Sequence, residues 1–380
     1  MYKWYEASAA TFVRLVDVAY PSALGDLFKS IWMTRAWTVQ ELLAARVIRF
    51  YDRDWKPYLS DSRSNHKESP EIMQEIADAI GVSPKAITNF HPDDLSTREK
   101  LRLASTRNAT VEEDVAYSLI GIFKSDIRPF YGEGHAALGH LLEEIVARSG
   151  EVTVLDWTGQ SSPYNSCLPV TLAVYSQPPW ASPLLQDAEM DMRVVTLGNS
   201  LPQAEAVLVY DRVTHLPPAR FANRRLHLPC IVFSVKRLRE QSSQESHYRA
   251  RVPGIGYVEF QTLERLSLTE PRRLIFVHPW IRSLCDPLDR SAWGNAADEN
   301  ESDLESESES TSTSSSQADD HARALRLVVC LQQPFHALLL QQQPGGEFKR
   351  IASGSEIIVP GLDPQINFAR DIRIDVVEVL

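Results

Sequence analysis

The chain has 380 residues, 43% hydrophobic and 9% aromatic, enough to bury at least one large core, and its length suggests two or three folding units. Its net charge of -11 is concentrated: nine acidic residues and no Lys or Arg lie between Asp298 and Asp320, and the rest of the chain is close to neutral. A near-neutral body lacks the basic face a nucleic-acid backbone requires, and no apolar run is long enough to span a bilayer, so neither nucleic acid nor membrane is an expected partner.

Met1 to Tyr20 carries scattered charges at Lys3, Glu6, Arg14 and Asp17, which excludes the apolar centre of a signal peptide. Trp4, Phe12, Leu15 and Val16 suit a helix leading into a short strand. The run Thr34-Arg35-Ala36-Trp37-Thr38-Val39-Gln40-Glu41-Leu42-Leu43 is helix-compatible, with Trp37, Val39, Leu42 and Leu43 as a buried stripe and Thr34 as its cap. Val47 to Tyr51 is β-branched and aromatic, a strand ending at Asp52-Arg53-Asp54. Helix followed by strand fits part of an α/β domain. Residues 59–71 are polar and turn-rich. Ile72, Ile76, Ala79 and Ile80 then recur at helical spacing until Gly81 and Pro84. Thr110 with Glu113 reads as a capping box starting a helix whose inner face is Val111, Val115, Leu119, Ile122 and Phe123. Leu138, Leu141, Leu142, Ile145 and Val146 trace another helix, closed by Gly150.

Beyond about Glu151 short runs of Val, Leu and Ile alternate with Pro, Gly and Ser. Leu168–Tyr175, Ala206–Tyr210, Cys230–Val235 and Leu274–Val277 read as strands of a sandwich or barrel. Asp298–Asp320 is acidic, Ser-rich low complexity and is expected to be a disordered loop; Ser302 with Glu305 and Ser306 with Glu309 resemble acidophilic kinase sites, although a solvated spacer is the preferred reading. Leu325–Leu331, Leu338–Leu340, Phe348–Ile351 and Ile357–Val359 read as returning strands, with Gly345-Gly346 as a hairpin turn. Cys167, Cys230, Cys285 and Cys330 form no C-x-x-C pair and no zinc-ligand cluster, so they read as reduced thiols in a cytoplasmic protein. The expected organisation is α+β and multidomain: 1–57, 58–157, 158–297, 298–320 and 321–380.

Two ordered blocks carry a family resemblance. The first is Thr34–Leu43 with the strand Val47–Tyr51. The second is Ala104-Ser105-Thr106-Arg107, then Glu113 to Phe123, then Tyr131-Gly132-Glu133-Gly134. Together they resemble the fungal heterokaryon-incompatibility (HET) domain, which is distantly similar to toll/interleukin-receptor (TIR) domains. The resemblance covers residues 1 to about 157. It implies a partial TIR-like α/β HET domain, a helical extension and a β-rich C-terminal domain with the acidic insertion. Because HET domains usually open with a strand and helix upstream of the Trp and Glu motif, it also implies an N-terminally truncated domain. The implied role is non-self recognition leading to growth arrest or cell death. Implied partners are other HET-family or incompatibility proteins, with homo-oligomers allowed.

The resemblance aligns Glu41 with a TIR glutamate that faces a nucleotide cleft, where some TIR domains cleave NAD. A carboxylate there would balance an oxocarbenium-like transition state or bind ribose hydroxyls. NAD would be a substrate, and no cofactor is expected. The alternative is a solvated glutamate or one paired with Arg35 or Arg46. Arg35 suits a phosphate, although capping or bridging a helix is the commoner role of such an arginine, and Trp37 could stack on a base, although packing in the core is the preferred reading. Arg107, Glu113, Asp114, Tyr117, Gly132 and Gly134 read as an architectural motif; the family often has an arginine where Val111 stands here. Gly132 to Ala137 matches Gly-x-Gly-x-x-Ala but lacks a preceding strand, and Gly254 and Gly256 read as turn residues. His135 and His140 diverge on a helix, and no metal is expected. There is no Gly-x-Ser-x-Gly elbow and no phosphate loop with a Gly-Lys end.

Overall fold

The computed structural model describes residues 1–183, 185–242, 246–268, 273–280, 313–363 and 372–380. Contacts divide the chain into two units, Met1–Pro179 and Trp180–Leu380.

In the first unit, α1 (Tyr2–Ala7) leads into β1 (Thr11–Arg14). Three short helices, α2 (Asp26–Lys29), α3 (Ile31–Thr34) and α4 (Thr38–Ala44), then cross over to β2 (Ile48–Tyr51). The two strands pair in parallel, Thr11 opposite Ile48 through Arg14 opposite Tyr51, a geometry that requires such a crossover. Buried Val13, Ile48 and Phe50 anchor them. The single helix expected around Trp37 is broken in two. Ser30 starts α3: its Oγ accepts from the Trp32 N–H (3.2 Å) and donates to Asp17 Oδ1 (2.7 Å). Arg35 is extended and ends that helix, so Trp37 falls at the N-cap position of α4. Thr34 is therefore not a cap; it closes α3 and donates its Oγ1 to the Ile31 carbonyl. Val39, Leu42 and Leu43 are buried as expected, but Trp37 is only half-buried.

Next come α5 (Pro70–Ile80), α6 (Pro84–Thr88), α7 (Thr97–Ala104), α8 (Asp114–Tyr117), α9 (Ile120–Phe123) and α10 (Ala136–Ser149). α10 buries its predicted stripe, α5 buries Ile72, Ile76 and Ile80 but leaves Ala79 half-buried, and the two helices end at Gly150 and Gly81, both left-handed. The capping box expected at Thr110 and Glu113 does not form, and its helix is split into α8 and α9. Glu113 is drawn away to more distant amides, and Val111 is exposed. Ser96 and Glu99 make a capping box instead, at the start of α7.

The second unit opens with α11 (Asp187–Gly198) and α12 (Gln203–Thr214). These are followed by β3 (Arg220–Ala222), β4 (Arg225–Ser234), β5 (Arg237–Ser242), β6 (His247–Val252), β7 (Gly256–Gln261) and β8 (Leu274–Pro279). After α13 (Thr313–Leu331) come β9 (Phe335–His336), β10 (Leu338–Gln342), β11 (Phe348–Arg350), β12 (Ile358–Val359) and β13 (Arg373–Val379). β4 pairs with β8, β8 with β10, β10 with β11, β11 with β13, and β13 with β4 again, so five strands close a small barrel, with β3 added beside β4. β5, β6 and β7 form an antiparallel meander, and β9 pairs with β12. Meander and barrel share a core in which Phe260 meets Phe276 edge-on at 5.3 Å.

Three expected strands are corrected. Ala206–Tyr210 lies in α12, and Leu325–Leu331 ends α13. Leu168–Tyr175 runs irregularly into a 3-10 turn, Leu172–Ser176. The helices are amphipathic: Ala206, Val209 and Val213 face the core from α12, as do Ala324, Leu327, Val328 and Leu331 from α13. The expected loop 298–320 lies outside the described residues as far as 312, including Ser302 and Ser306, and its end from Thr313 belongs to α13.

Candidate functional site

Glu41 projects from α4 to a meeting point of three helices. Its Oε1 accepts from the Tyr5 hydroxyl of α1 (3.1 Å) and its Oε2 from the Trp32 indole N–H of α3 (3.1 Å). Burial, then the Glu41 charge, pushes the Tyr5 phenol up to about 12, so it stays a donor at neutral pH. The expected neighbours Arg35 and Arg46 make no ion pair with Glu41. Its positive counterpart is Arg107, which burial pushes down to about 10 against the opposing pull of Glu41. Arg107 is 5% exposed. Its Nε donates to the Leu103 carbonyl (3.1 Å), and its Nη1 donates to the Arg35 carbonyl (3.2 Å) and Thr38 Oγ1 (2.6 Å). The Thr38 hydroxyl lies 2.7 Å from the carbonyls of both Trp32 and Arg35. Arg107 thus links the end of α7 to the start of α4.

Of the residues read from sequence around Glu41, Arg35 contributes its backbone carbonyl while its side chain remains exposed, and Trp37 is half-buried at the N-cap position of α4. Trp32 and Tyr5, which touch the carboxylate, were not among them. The available signal was Ser30: a cap there starts a separate turn and folds Trp32 back toward α4.

The second block gathers elsewhere. Glu113 Oε1 accepts from the N–H groups of Gly132 (2.8 Å) and Gly134 (3.0 Å). Tyr131 donates to Asp114 Oδ1 (2.9 Å). The Tyr117 hydroxyl donates to Glu133, accepts from the Phe130 N–H (2.9 Å) and is pushed up to about 12, first by burial and then by that carboxylate. Glu133 Oε2 in turn lies 2.8 Å from His140 Nδ1, while His135 pairs with Glu112. Arg107 takes no part in this cluster. Beside it opens a cavity of about 680 Å³ whose polar lining includes Arg128, Glu133, His140, Glu143 and Tyr164. Neither this cavity nor one of about 320 Å³ lined by Lys100, Lys124 and Arg148 includes Glu41. Among the described residues no group of three or more His, Cys, Asp or Glu could hold a metal ion.

The bonds that fix Glu113 predict a pH effect. Its own N–H and those of Gly134 and Gly132 hold its carboxyl below the usual 4.5. A depressed folded value stabilises the protein above 4.5, and that stabilisation is lost as pH falls through the lower folded value. Glu113→Gln should therefore lower the urea midpoint at pH 7, with the gap to wild type narrowing as the pH falls below 4.5 through the lower folded value. A gap independent of pH would contradict this assignment.

No family model matches the chain, and no solved structure does. Part of the chain is nevertheless similar to a vegetative incompatibility protein. That relative is HET-E-1 of Podospora anserina, 35% identical over 154 residues, which make up 38% of this chain and 11% of that protein. The chain spans about one tenth of the length of this curated relative.

Proposed function

We propose that this chain is a HET-type module of fungal vegetative incompatibility, with residues 1–57 as the TIR-like part, acting in the cytoplasm by assembling with other incompatibility proteins or with itself. The supporting observation is the 154-residue similarity to HET-E-1. Assembly is favoured over catalysis by the state of Glu41. Both of its oxygens already accept hydrogen bonds, from Tyr5 and Trp32, so the carboxylate is engaged in holding three helices together and has only its remaining lone pairs to offer a ribose hydroxyl. On this reading Glu41 ties α1 and α3 to α4 and shapes the surface a partner meets.

The second reading is an effector that cleaves NAD or a related nucleotide. It is supported by Arg35 and Trp37, which stay accessible at the same helix junction for a phosphate and a base. The two are separated by expressing wild type and Glu41→Gln in a fungal host and measuring cell death and NAD together. The assembly reading expects death with NAD unchanged in wild type. NAD loss in wild type that Glu41→Gln abolishes along with toxicity would overturn it.

A further inference from the structure

The outer face of the β5–β7 meander carries a concentration of positive charge that the balance of the whole chain hides. Tyr248, Ala250 and Val252 of β6 are core residues, as are Val258 and Phe260 of β7, and Leu238 of β5 packs against them. The residues that alternate with these face the other way, to solvent. They include Arg237 and Arg239 of β5 and Arg249 and Arg251 of β6, all four exposed. The antiparallel register sets Arg237 directly opposite Arg251 and Arg239 directly opposite Arg249. Four guanidinium groups thus rise from one small block, with facing Cβ atoms about 4.5–5.5 Å apart and successive ones along a strand about 6.8 Å apart. In the chain they stand only as Arg-Leu-Arg and Arg-Ala-Arg; strand pairing makes the cluster.

Like charges set directly opposite one another weaken a sheet, so the block costs the meander stability. Little nearby offsets it. Arg249 lies 3.5 Å from Glu259 of β7 and over the Tyr257 ring at 4.2 Å, and Glu259 also accepts from Gln241 (3.0 Å). The side chains of Arg237, Arg239 and Arg251 have no hydrogen bond, ion pair or ring contact among the described residues, so their donors remain available. We infer that this face receives an extended acidic peptide of a partner protein, with glutamates at alternate positions, lying along β5 and β6. An extended chain repeats every two residues, as do the strands beneath it, so two successive glutamates would reach the two facing arginine pairs. Each carboxylate would accept from a guanidinium on either strand. The charge layout favours a peptide over nucleic acid. The block is two arginines long, where a phosphate backbone needs a longer basic track; Glu259 bounds it on the β7 side, and the exposed Tyr257 already lies under Arg249 rather than open to a base.

The test is fluorescence anisotropy of the full chain with a fluorescein-labelled Ser-Glu-Ser-Glu-Ser-Glu-Ser peptide. The chain has an alternating run of its own, Glu305-Ser306-Glu307-Ser308-Glu309, so every protein compared also carries Glu305→Gln, Glu307→Gln and Glu309→Gln to remove self-competition. With all arginines intact the peptide should bind saturably at low salt and more weakly as salt rises, and its Gln-for-Glu version should not bind. Adding Arg239→Gln and Arg251→Gln, one from each facing pair, should weaken binding about tenfold or more, with a melting temperature no lower because repulsion is relieved. Removing two exposed charges elsewhere, by Arg46→Gln with Arg212→Gln, should change binding by no more than about twofold. Absence of saturable binding, or an equal effect of the two double variants, would overturn the assignment. Displacement of the peptide by oligothymidylate at a lower concentration than by unlabelled peptide would overturn it too, giving the face to nucleic acid.

Discussion

Arg107→Ala is expected to destabilise the first unit by about 3–5 kcal/mol, the usual cost of breaking a buried, hydrogen-bonded charge arrangement. The guanidinium is sealed in the core yet has three oxygens within bonding distance: the Leu103 carbonyl, the Arg35 carbonyl and Thr38 Oγ1. Removing it strands acceptors and deprives Glu41 of its nearby positive charge. Arg107→Lys should recover little, because an ammonium cannot present Nε and Nη1 to partners in different directions. Thr38→Val removes one of the same bonds, so its cost and that of Arg107→Ala should fall short of additivity when combined. Urea denaturation of the single and double variants measures both quantities. A loss below about 1 kcal/mol for Arg107→Ala would mean that the core closes over the gap and that the link between α7 and α4 contributes little.

Gly361→Ala should cost the second unit about 3 kcal/mol or more, the sum of a strained backbone and an overpacked contact. Gly361 has φ +95°, and a Cβ there would come within 2.2 Å of the Gln332 carbonyl oxygen and 2.9 Å of that of Gln333. All of these atoms are backbone in the turn that follows α13, where Leu362 N–H also bonds to the Leu331 carbonyl (3.2 Å). Nothing in that neighbourhood can rotate away. Gly346 supplies the control: its φ is +98°, but no atom lies within 4 Å of its missing Cβ. Gly346→Ala should show the conformational penalty alone, about 1–2 kcal/mol. Thermal melts of the two variants would separate the terms, and equal losses would show that the close approach to Gln332 is relieved by a backbone shift.

What was legible in the sequence follows from how far each signal reaches. α5 and α10 announce themselves because their apolar residues repeat over several turns and glycine ends them. α12 and the end of α13 were obscured because short stretches rich in Val and Leu satisfy a strand template; only the wider spacing, such as Ala206, Val209 and Val213, separates helix from strand. The β-rich expectation holds for Cys230–Val235, Leu274–Val277 and the hairpin around Gly345-Gly346, where β4, β8, β10 and β11 lie. At the candidate site, the block order brought out Glu41 and, as one motif, Arg107 with the Glu113 cluster, whereas the structure ties Arg107 to Arg35 and Thr38, and the partners of each come from distant elements. Glu113 matched a local capping template and instead serves amides about twenty residues away, an interaction no short window contains. The pairing of Glu41 with Trp32 turns on the extended break at Arg35 between α3 and α4, for which the Ser30 cap was the one local signal.

The closure of the barrel has a temporal side. β4 and β13 lie side by side over seven residue pairs, yet they are separated by roughly 140 positions in the chain. On a ribosome, β4 emerges long before its neighbour and must wait, with one flank unsatisfied, while the meander, β8 and α13 are made. The first unit faces no such delay, since its parallel pair spans fewer than forty positions. The early part of the chain can therefore mature during synthesis, whereas the barrel is a late event, and the waiting interval is when β4 is most open to capture by a chaperone or by the wrong strand.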